Sequence, residues 1–261
     1  MEFYGDYHTH TRRSDGRQSE EQIIVAALGR GLKEVAITDH GPLAAVIGVK
    51  NPEVYLQTKE RVKNLQPLYP DLKILVGAEA NIRDLDGNLD VPSAILDQLD
   101  IVIAGLHPYT LPTSFQDGVG IFVQNSLRHL SQAQREKAIT ANTQAIIAAI
   151  YANPQIDIIS HPGLFFAVDI EEVAQACVKQ GVLFEINCAH EHPDVSDIMV
   201  AERVGVDFII NSDAHFTDTV GDLRYGSDIV AQLDIDLGRI VNGLDGGGHT
   251  RWAKKHATYT F

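Results

Sequence analysis

Two cysteines, Cys177 and Cys188, are the only thiols in 261 residues. Each sits inside an apolar run, so there is no disulfide framework, and two buried, reduced thiols point to a cytoplasmic chain. Basic residues are also scarce: 21 Lys and Arg face 35 Asp and Glu, a formal net charge of −14 with histidine neutral. Such a surface repels nucleic acid and anionic membranes unless cations intervene, so no long nucleic acid is expected as a partner. No apolar run is long enough to span a bilayer. The first residues, MEFYGDYHTH, carry neither a basic nor an apolar leader segment, and no membrane partner is expected. A GxxxxGK(S/T) loop, a glycine-rich fingerprint after the first strand and a GxSxG elbow are all missing, which removes P-loop nucleotide chemistry and a hydrolase-type serine nucleophile. Neither cysteine is paired with a clear base. No linker, composition break or internal repeat divides the chain.

What the sequence does have is a core and an alternation. At 44% hydrophobic it supports one large α/β domain, expected to span 1–261. Strands are predicted at 3–8, 34–38, 73–77, 101–105, 156–160, 182–187 and 207–211. Helical periodicity lies between them at 19–31, 132–151, 170–181 and 195–205, with Ser19 as a cap and Gly31, Gly181 and Gly205 as stops. The runs IVIAG and DFIIN are continuous rather than alternating, as in parallel strands buried on both faces. Seven strands alternating with helices predict a parallel α/β fold, open or closed. Segments 41–51 and 108–129 read as long irregular loops, the usual form of lids and binding loops. A C-terminal helix and tail are expected over 227–261, with the glycines at 246–248 as a turn.

Eleven histidines are many for so acidic a chain, and they are not scattered. His8 and His10 close the first predicted strand, Asp39 and His40 the second, Glu79 the third and His107 the fourth. His161 closes the fifth, and Asp213 and His215 the seventh. In parallel α/β folds the C-terminal strand ends form the functional face, so six strands deliver His, Asp or Glu to one rim. His8 with His10, and Asp213 with His215, are spaced to project on the same side of an extended chain. Mixed imidazole and carboxylate donors suit Zn, Mn or Fe better than Mg or Ca. The candidate ligands are His8, His10, Asp15, His40, Glu79, His107, His161, Asp213 and His215. A catalytic ion takes about three protein ligands, so two or three divalent ions are expected, with a carboxylate bridging.

Asp39 reads as a support of the strand-two turn, and His129, His249 and His256 as solvated. His190 and His192 follow strand six and are candidates to line the mouth. Arg12 and Arg13, between His10 and Asp15, read either as a phosphate clamp or as solvated loop charge. Arg224 is a weaker candidate of the same kind. His190, Arg12 and Arg13 are therefore the candidate substrate-binding residues.

Six motifs stand in order: YHTHTRRSDG at 7–16, TDHG at 38–41, GAE at 77–79, GLHP at 105–108, SHPG at 160–163 and SDAH at 212–215. Together they resemble the PHP (polymerase and histidinol phosphatase) family over about residues 4–226, and most of all its stand-alone phosphatase branch. The resemblance implies a distorted (βα)7 TIM-like barrel of parallel strands with a trinuclear metal site. It implies that His8, His10, Glu79 and Asp213 hold a first metal, that Glu79 bridges to a second completed by His107 and His161, and that Asp15, His40 and His215 hold a third. Asp15 stands where some relatives have histidine.

The activity expected is hydrolysis of a small phosphomonoester. A hydroxide bridging the first two metals would attack phosphorus, with Glu79, His40 and Asp213 as the catalytic side chains and the third metal on the phosphate oxygens. Bound cations would reconcile an acidic chain with an anionic substrate. A nuclease or nucleotide phosphodiesterase on the same centre, an amide or lactone hydrolase, and a non-catalytic metal-dependent module are the alternatives. The acidic balance and the missing basic, aromatic groove count against long nucleic acid.

Overall fold

In a computed structural model, which describes residues 1–248, seven parallel strands follow one another around a single sheet. They are β1 (Gly5–Asp6), β2 (Glu34–Ile37), β3 (Lys73–Asn81), β4 (Ile101–Gly105), β5 (Ile158–Ile159), β6 (Leu183–Asn187) and β7 (Phe208–Asn211). Each pairs with the next in sequence. Just beyond β1 and β7, His10 N donates to Ala214 O (2.9 Å) and Ala214 N donates to His8 O (3.2 Å), which closes the sheet into the expected distorted (βα)7 barrel. The seam is otherwise sewn by side chains. Tyr7 N donates to Asn211 Oδ1 (3.0 Å), Ser212 N to Asp6 Oδ1 (3.1 Å) and Ile210 N to Asn242 Oδ1 (3.1 Å), while Asn242 Nδ2 donates to Gly5 O (2.9 Å). Very short terminal strands leave backbone groups that must find such partners when buried.

The helices are α1 (Glu20–Gly29), α2 (Glu53–Leu65), α3 (Ser93–Leu96), α4 (Phe115–Asp117), α5 (Gln124–Leu127), α6 (Gln132–Ala152), α7 (Ile170–Gln180), α8 (Val195–Val204) and α9 (Arg224–Leu233). Local chemistry explains their ends. Ser19 and Gln22 form a capping box at α1. Asp169 and Asp194 cap α7 and α8, which Gly181 (φ 66°) and Gly205 (φ 95°) terminate in the left-handed conformation.

Several expectations need correction. Segment 108–129 is not irregular throughout: α4, a π-helical stretch (Gly118–Val123) and α5 run on from the Ser114 cap. Strands β1 and β5 are shorter than predicted and β3 continues to Asn81. Helices α2 and α3 have no counterpart in the periodicity reading, and the crossover from β3 to β4 carries only the four-residue α3. The last helix, α9, begins before 227 and ends at Leu233; the chain then passes back below the barrel, where Val241 N donates to Phe208 O (2.8 Å). His249, His256 and the tail lie outside the described residues.

Alternation along each strand separates two environments. Outward residues such as Phe184, Ile186, Phe208 and Ile210 pack under the helices; Phe184 meets Phe208 edge to face at 6.0 Å. Inward residues Leu75, Ile101, Ile103, Ile158, Leu183 and Ile209 plug the lower barrel. Continuing up the same inward rows, the sequence turns polar: Glu79 and Asn81 on β3, Glu185 and Asn187 on β6, and Asn211 on β7, all fully buried. Among the described residues no helix is long and apolar enough to cross a membrane.

Candidate metal centre

Glu79 ends up at the middle of the rim because β3 runs on past the end of β2, staying paired with β4 as far as Asn81. Its two oxygens face different histidines. Oε1 lies 3.1 Å from His161 Nε2 and 3.2 Å from His107 Nε2, whereas Oε2 lies 2.8 Å from His40 Nδ1 and 3.2 Å from His8 Nε2. Asp213 Oδ1 lies 3.0 Å from His10 Nε2 and 3.5 Å from His8 Nε2. Asp15 Oδ2 lies 3.2 Å from His215 Nε2 and 3.8 Å from His40 Nε2. All nine predicted ligand residues are thus brought to one rim. Three sets could each hold an ion: His10, Asp15, His40 and His215; His8, His10 and Glu79; and His40, Glu79 and His107. Here His10 joins the set expected for the third metal, and His40 rather than His161 accompanies His107. His40 stands between sets because both of its ring nitrogens face carboxylates.

The rings are held so that Nε2 points inward. His8 Nδ1 donates to Glu185 Oε1 (2.8 Å), His107 Nδ1 to Asn81 Oδ1 (2.8 Å) and His215 Nδ1 to Asp213 O (2.9 Å). A ring nitrogen tied down in this way fixes the tautomer and leaves the other lone pair for a metal. Asn81 is itself oriented by Asp90, whose Oδ2 accepts from Asn81 Nδ2 (2.6 Å). Glu185 uses Oε2 to accept from His161 N (2.9 Å) and Asn187 Nδ2 (3.1 Å), so its lone pairs are occupied by the site's own framework. His161 (φ 26°) and Asp213 (φ 52°) adopt positive φ, a conformation rare for such residues and typical of constrained sites.

The donor set fits divalent cations. Buried His8 Nε2, His10 Nδ1 and Nε2, His40 Nδ1, Asp15 Oδ1, Glu79 Oε2 and Asp213 Oδ1 face one another without making hydrogen bonds of normal geometry, although buried polar atoms are ordinarily satisfied. Burial, reinforced by His215 and His40, pushes the His10 imidazole down to about 3, and burial pushes His107 down to about 4. Both are neutral donors at neutral pH. Burial would also neutralise His8, but Glu185, Asp213 and Glu79 reverse this and hold it well above its ordinary value. Against the same desolvation, Asp15 holds His215 up to about 9, and the imidazoles keep Glu79 and Asp213 well below the usual carboxylate range. A field that retains protons on buried imidazoles is one in which a divalent cation replaces them.

A family model for the PHP domain matches residues 6–212, four-fifths of the chain. The chain belongs to the PHP family. A "probable phosphatase" of Thermoanaerobacter sp. (strain X514) is 32% identical over 253 residues, covering 93% of this chain and 91% of that one. Another "probable phosphatase", from Caldanaerobacter subterraneus subsp. tengcongensis, is 33% identical over 243 residues, covering 89% and 83%. Among solved structures, histidinol phosphate phosphatase from Lactococcus lactis, complexed with Zn, L-histidinol and phosphate, superposes with TM-score 0.61 at 18% identity, over 88% of this chain and 93% of that one. That likeness supports the fold.

Around the PHP rim a cavity of about 600 Å³ opens to solvent, with Asp15, His40, His107, His161, Asp213 and His215 among the residues that line it. His190 lines it too, with Nε2 at 3.5 Å from Asp213 Oδ2. The reading of Arg12 and Arg13 as a phosphate clamp is corrected. Arg12 Nε donates to Arg17 O (2.8 Å) and Arg13 Nε to Glu20 Oε1 (2.6 Å), and neither lines the cavity. Glu20, at the start of α1, competes for Arg13 at shorter range. Arg224 is similarly taken by Asp222 (2.7 Å). His192 is turned aside to Pro162 O (2.9 Å). Asp39, expected to support the turn after its own strand, instead holds the loop after β1, accepting from Thr11 N (2.6 Å), Thr11 Oγ1 (2.7 Å) and Ser14 Oγ (2.6 Å). The sequence reading missed Glu185, Asn81, Asn187 and Asp90. The signal was there: a glutamate between the apolar residues of the LFEI run faces the barrel interior and needs a reason to be buried.

Proposed function

We propose that this PHP barrel is a metal-dependent phosphatase that hydrolyses a small phosphomonoester to an alcohol and inorganic phosphate. The observation that carries the reading is the division of Glu79's two oxygens between separate histidine pairs, inside a shell of buried donors with no other partner. The relatives named as phosphatases, and the zinc and phosphate held by the Lactococcus protein, support it. We assign His8, His10, Glu79 and Asp213 to a first ion, Glu79, His107 and His161 to a second, and Asp15, His40 and His215 to a third. Imidazole-rich donors favour Zn, Mn or Fe. Two unpaired thiols, Cys177 and Cys188, suit a reducing compartment, and we place the enzyme in the cytoplasm.

When bound, two or three such ions supply Lewis-acid charge for the phosphoryl oxygens and an activated hydroxide near neutral pH. The chain's own residues do the positioning. Glu79, Asp213 and Asp15 balance the cationic charge, Glu185 and Asn81 hold the His8 and His107 rings, and His190 faces the substrate from the cavity wall. Water oxygen forms the new bond to phosphorus, the bond from phosphorus to the ester oxygen breaks, and the alcohol leaves with a proton. Among the described residues no lysine or arginine lines the cavity, which suits a compact monoester rather than a polyanion.

Metal-reconstituted protein is expected to release phosphate from several monoesters, and His40→Ala and Asp213→Ala to abolish release without unfolding the barrel. Full activity in both variants would overturn the site assignment. Cleavage of an oligonucleotide with no release from monoesters would replace the phosphatase by a nuclease.

A further inference from the structure

The cavity has two chemically distinct halves. Its floor is the histidine and carboxylate rim; its wall is apolar, formed by Ile47, Pro108, Tyr109, Phe165, Ala189 and Phe216. The aromatic rings stay accessible, with Tyr109 60% and Phe216 55% exposed. Phe165 is anchored at the boundary, 5.5 Å from the His161 ring and 5.6 Å from the His107 ring. Accessible aromatic surface beside a reactive centre is what a ligand's apolar portion would cover.

This wall is built rather than incidental. Loop 41–51 and segment 108–111 are zipped together by an antiparallel bridge between Ala44 and Thr110. Ala45 N donates to Tyr109 O (2.9 Å) and Leu111 N to Leu43 O (3.0 Å), while Leu43 N is held by Asp90 Oδ2 (3.0 Å). Ile47 and Tyr109 therefore move as one edge, tied to the same Asp90 that orients Asn81 beneath His107. Next to Ile47, Val46 has φ 74°, a left-handed conformation that a β-branched residue rarely takes. A fixed edge spends little ordering entropy on binding.

Charge around the wall excludes ionic leaving groups. Asp15, Asp213 and Asp222 are the acidic members of the cavity as a whole, and the arginines nearby are engaged: Arg224 with Asp222, Arg30 with Asp218 O, Arg13 with Glu20. Among the described residues no lysine or arginine lines the cavity, and its His190 and His215 rings already face Asp213 and Asp15. A second phosphate or a carboxylate against the apolar wall would therefore be left unpaired, which is costly. Asp222 is already neutralised by Arg224, and the rim carboxylates by the imidazoles and ions, so the wall offers no free counter-ion to an ammonium group either.

Resting on the phosphatase reading above, we propose that the substrate's alcohol portion is uncharged and apolar, an arylalkyl or branched alkyl group seated against Phe165, Tyr109, Phe216 and Ile47. These four residues determine specificity, and the rim determines the chemistry.

The test compares four esters of primary alcohols on metal-loaded protein: 2-phenylethyl phosphate, glycerol 1-phosphate, 2-aminoethyl phosphate and 3-phosphoglycerate. The expected kcat/KM for the phenylethyl ester exceeds each of the others by at least about tenfold, the scale on which apolar pockets discriminate. Phe216→Ser is expected to collapse that ratio toward unity. A polar or charged ester matching or surpassing the phenylethyl ester would overturn the proposal and leave the phosphatase reading intact. Failure of all four to turn over would count against the phosphatase reading itself. Calorimetry then decides the pocket separately: 2-phenylethylphosphonate is expected to bind at least about tenfold tighter than 3-phosphonopropionate, with Phe216→Ser erasing the difference. Equal affinities in the unsubstituted protein would overturn the proposal.

Discussion

Glu185 Oε1 lies 2.8 Å from His8 Nδ1, and this contact turns the other ring nitrogen toward Glu79 Oε2, 3.2 Å away. The glutamate is remote from the cavity, yet it also takes hydrogen bonds from the His161 main chain, Asn187 and Asn211. Glu185→Gln keeps the shape but loses the charge that holds His8. Metal affinity is expected to fall by about 10–100-fold, the usual effect of removing such a partner. Metal content after dialysis and a far-UV melt check this; unchanged affinity would deny Glu185 a positioning role.

Metal removal has a thermodynamic signature. Ions bound only by the folded chain add about 2.7 kcal/mol when present at a hundred times their Kd. For a chain of this size each kcal/mol moves Tm by about 2–4 °C. Chelation is therefore expected to lower Tm by at least about 5 °C and to abolish phosphate release, both restored by added Zn or Mn. A chelated protein with the same Tm would show that the rim binds no structural cation.

Gly105 leaves room for a ligand. A Cβ there would sit 2.6 Å from His107 Cε1 and 2.4 Å from Ser160 Oγ, both too close to accept without movement. Gly105→Ala is expected to displace His107 and lower metal occupancy and turnover about tenfold or more. Retention of full occupancy in metal analysis would contradict that coupling.

Arg13 serves the fold rather than the substrate. Glu20 accepts from Arg13 Nε at 2.6 Å and lies 3.2 Å from Arg61 Nε. Burial opposes ionisation of Glu20, but the two guanidinium groups and its own backbone hydrogen bond hold its carboxyl below the ordinary value. A carboxyl depressed by folding stabilises above its unfolded pKa, and that contribution is lost as pH falls. Glu20→Gln is expected to cost about 1 kcal/mol at pH 7 and progressively less below about pH 4. Denaturant titrations at the two pH values test it, and a pH-independent difference would refute the ionic account.

The barrel seam depends on Asn242. Its amide joins Gly5 and Ile210 from opposite sides of the closure. Asn242→Ala leaves buried backbone groups unsatisfied, and a loss of about 2–4 kcal/mol is expected in urea unfolding with metal content unchanged. A loss below 1 kcal/mol would mean that the His8 and His10 bonds to Ala214 close the barrel unaided.

What the chain alone determined was periodicity and chemical type. Continuous apolar runs made seven buried parallel strands readable, and Ser19, Gly181 and Gly205 marked helix ends, because these depend on neighbours in sequence. Eight of the nine candidate ligands were readable because they recur at strand ends, Asp15 lying in the loop after strand one, and a closed parallel sheet must bring those ends to one rim. Tertiary structure decided the rest. Whether Arg13 meets a phosphate or Glu20, which set His40 and His10 join, and why Glu185 is buried in β6 all turn on distances of a few ångströms between residues far apart in the chain. So do the turning of 108–129 into helix and the pairing of its start with loop 41–51. Local propensity is a property of neighbouring residues; pair energies between charged groups and the fit of an aromatic wall exist only once the barrel has closed.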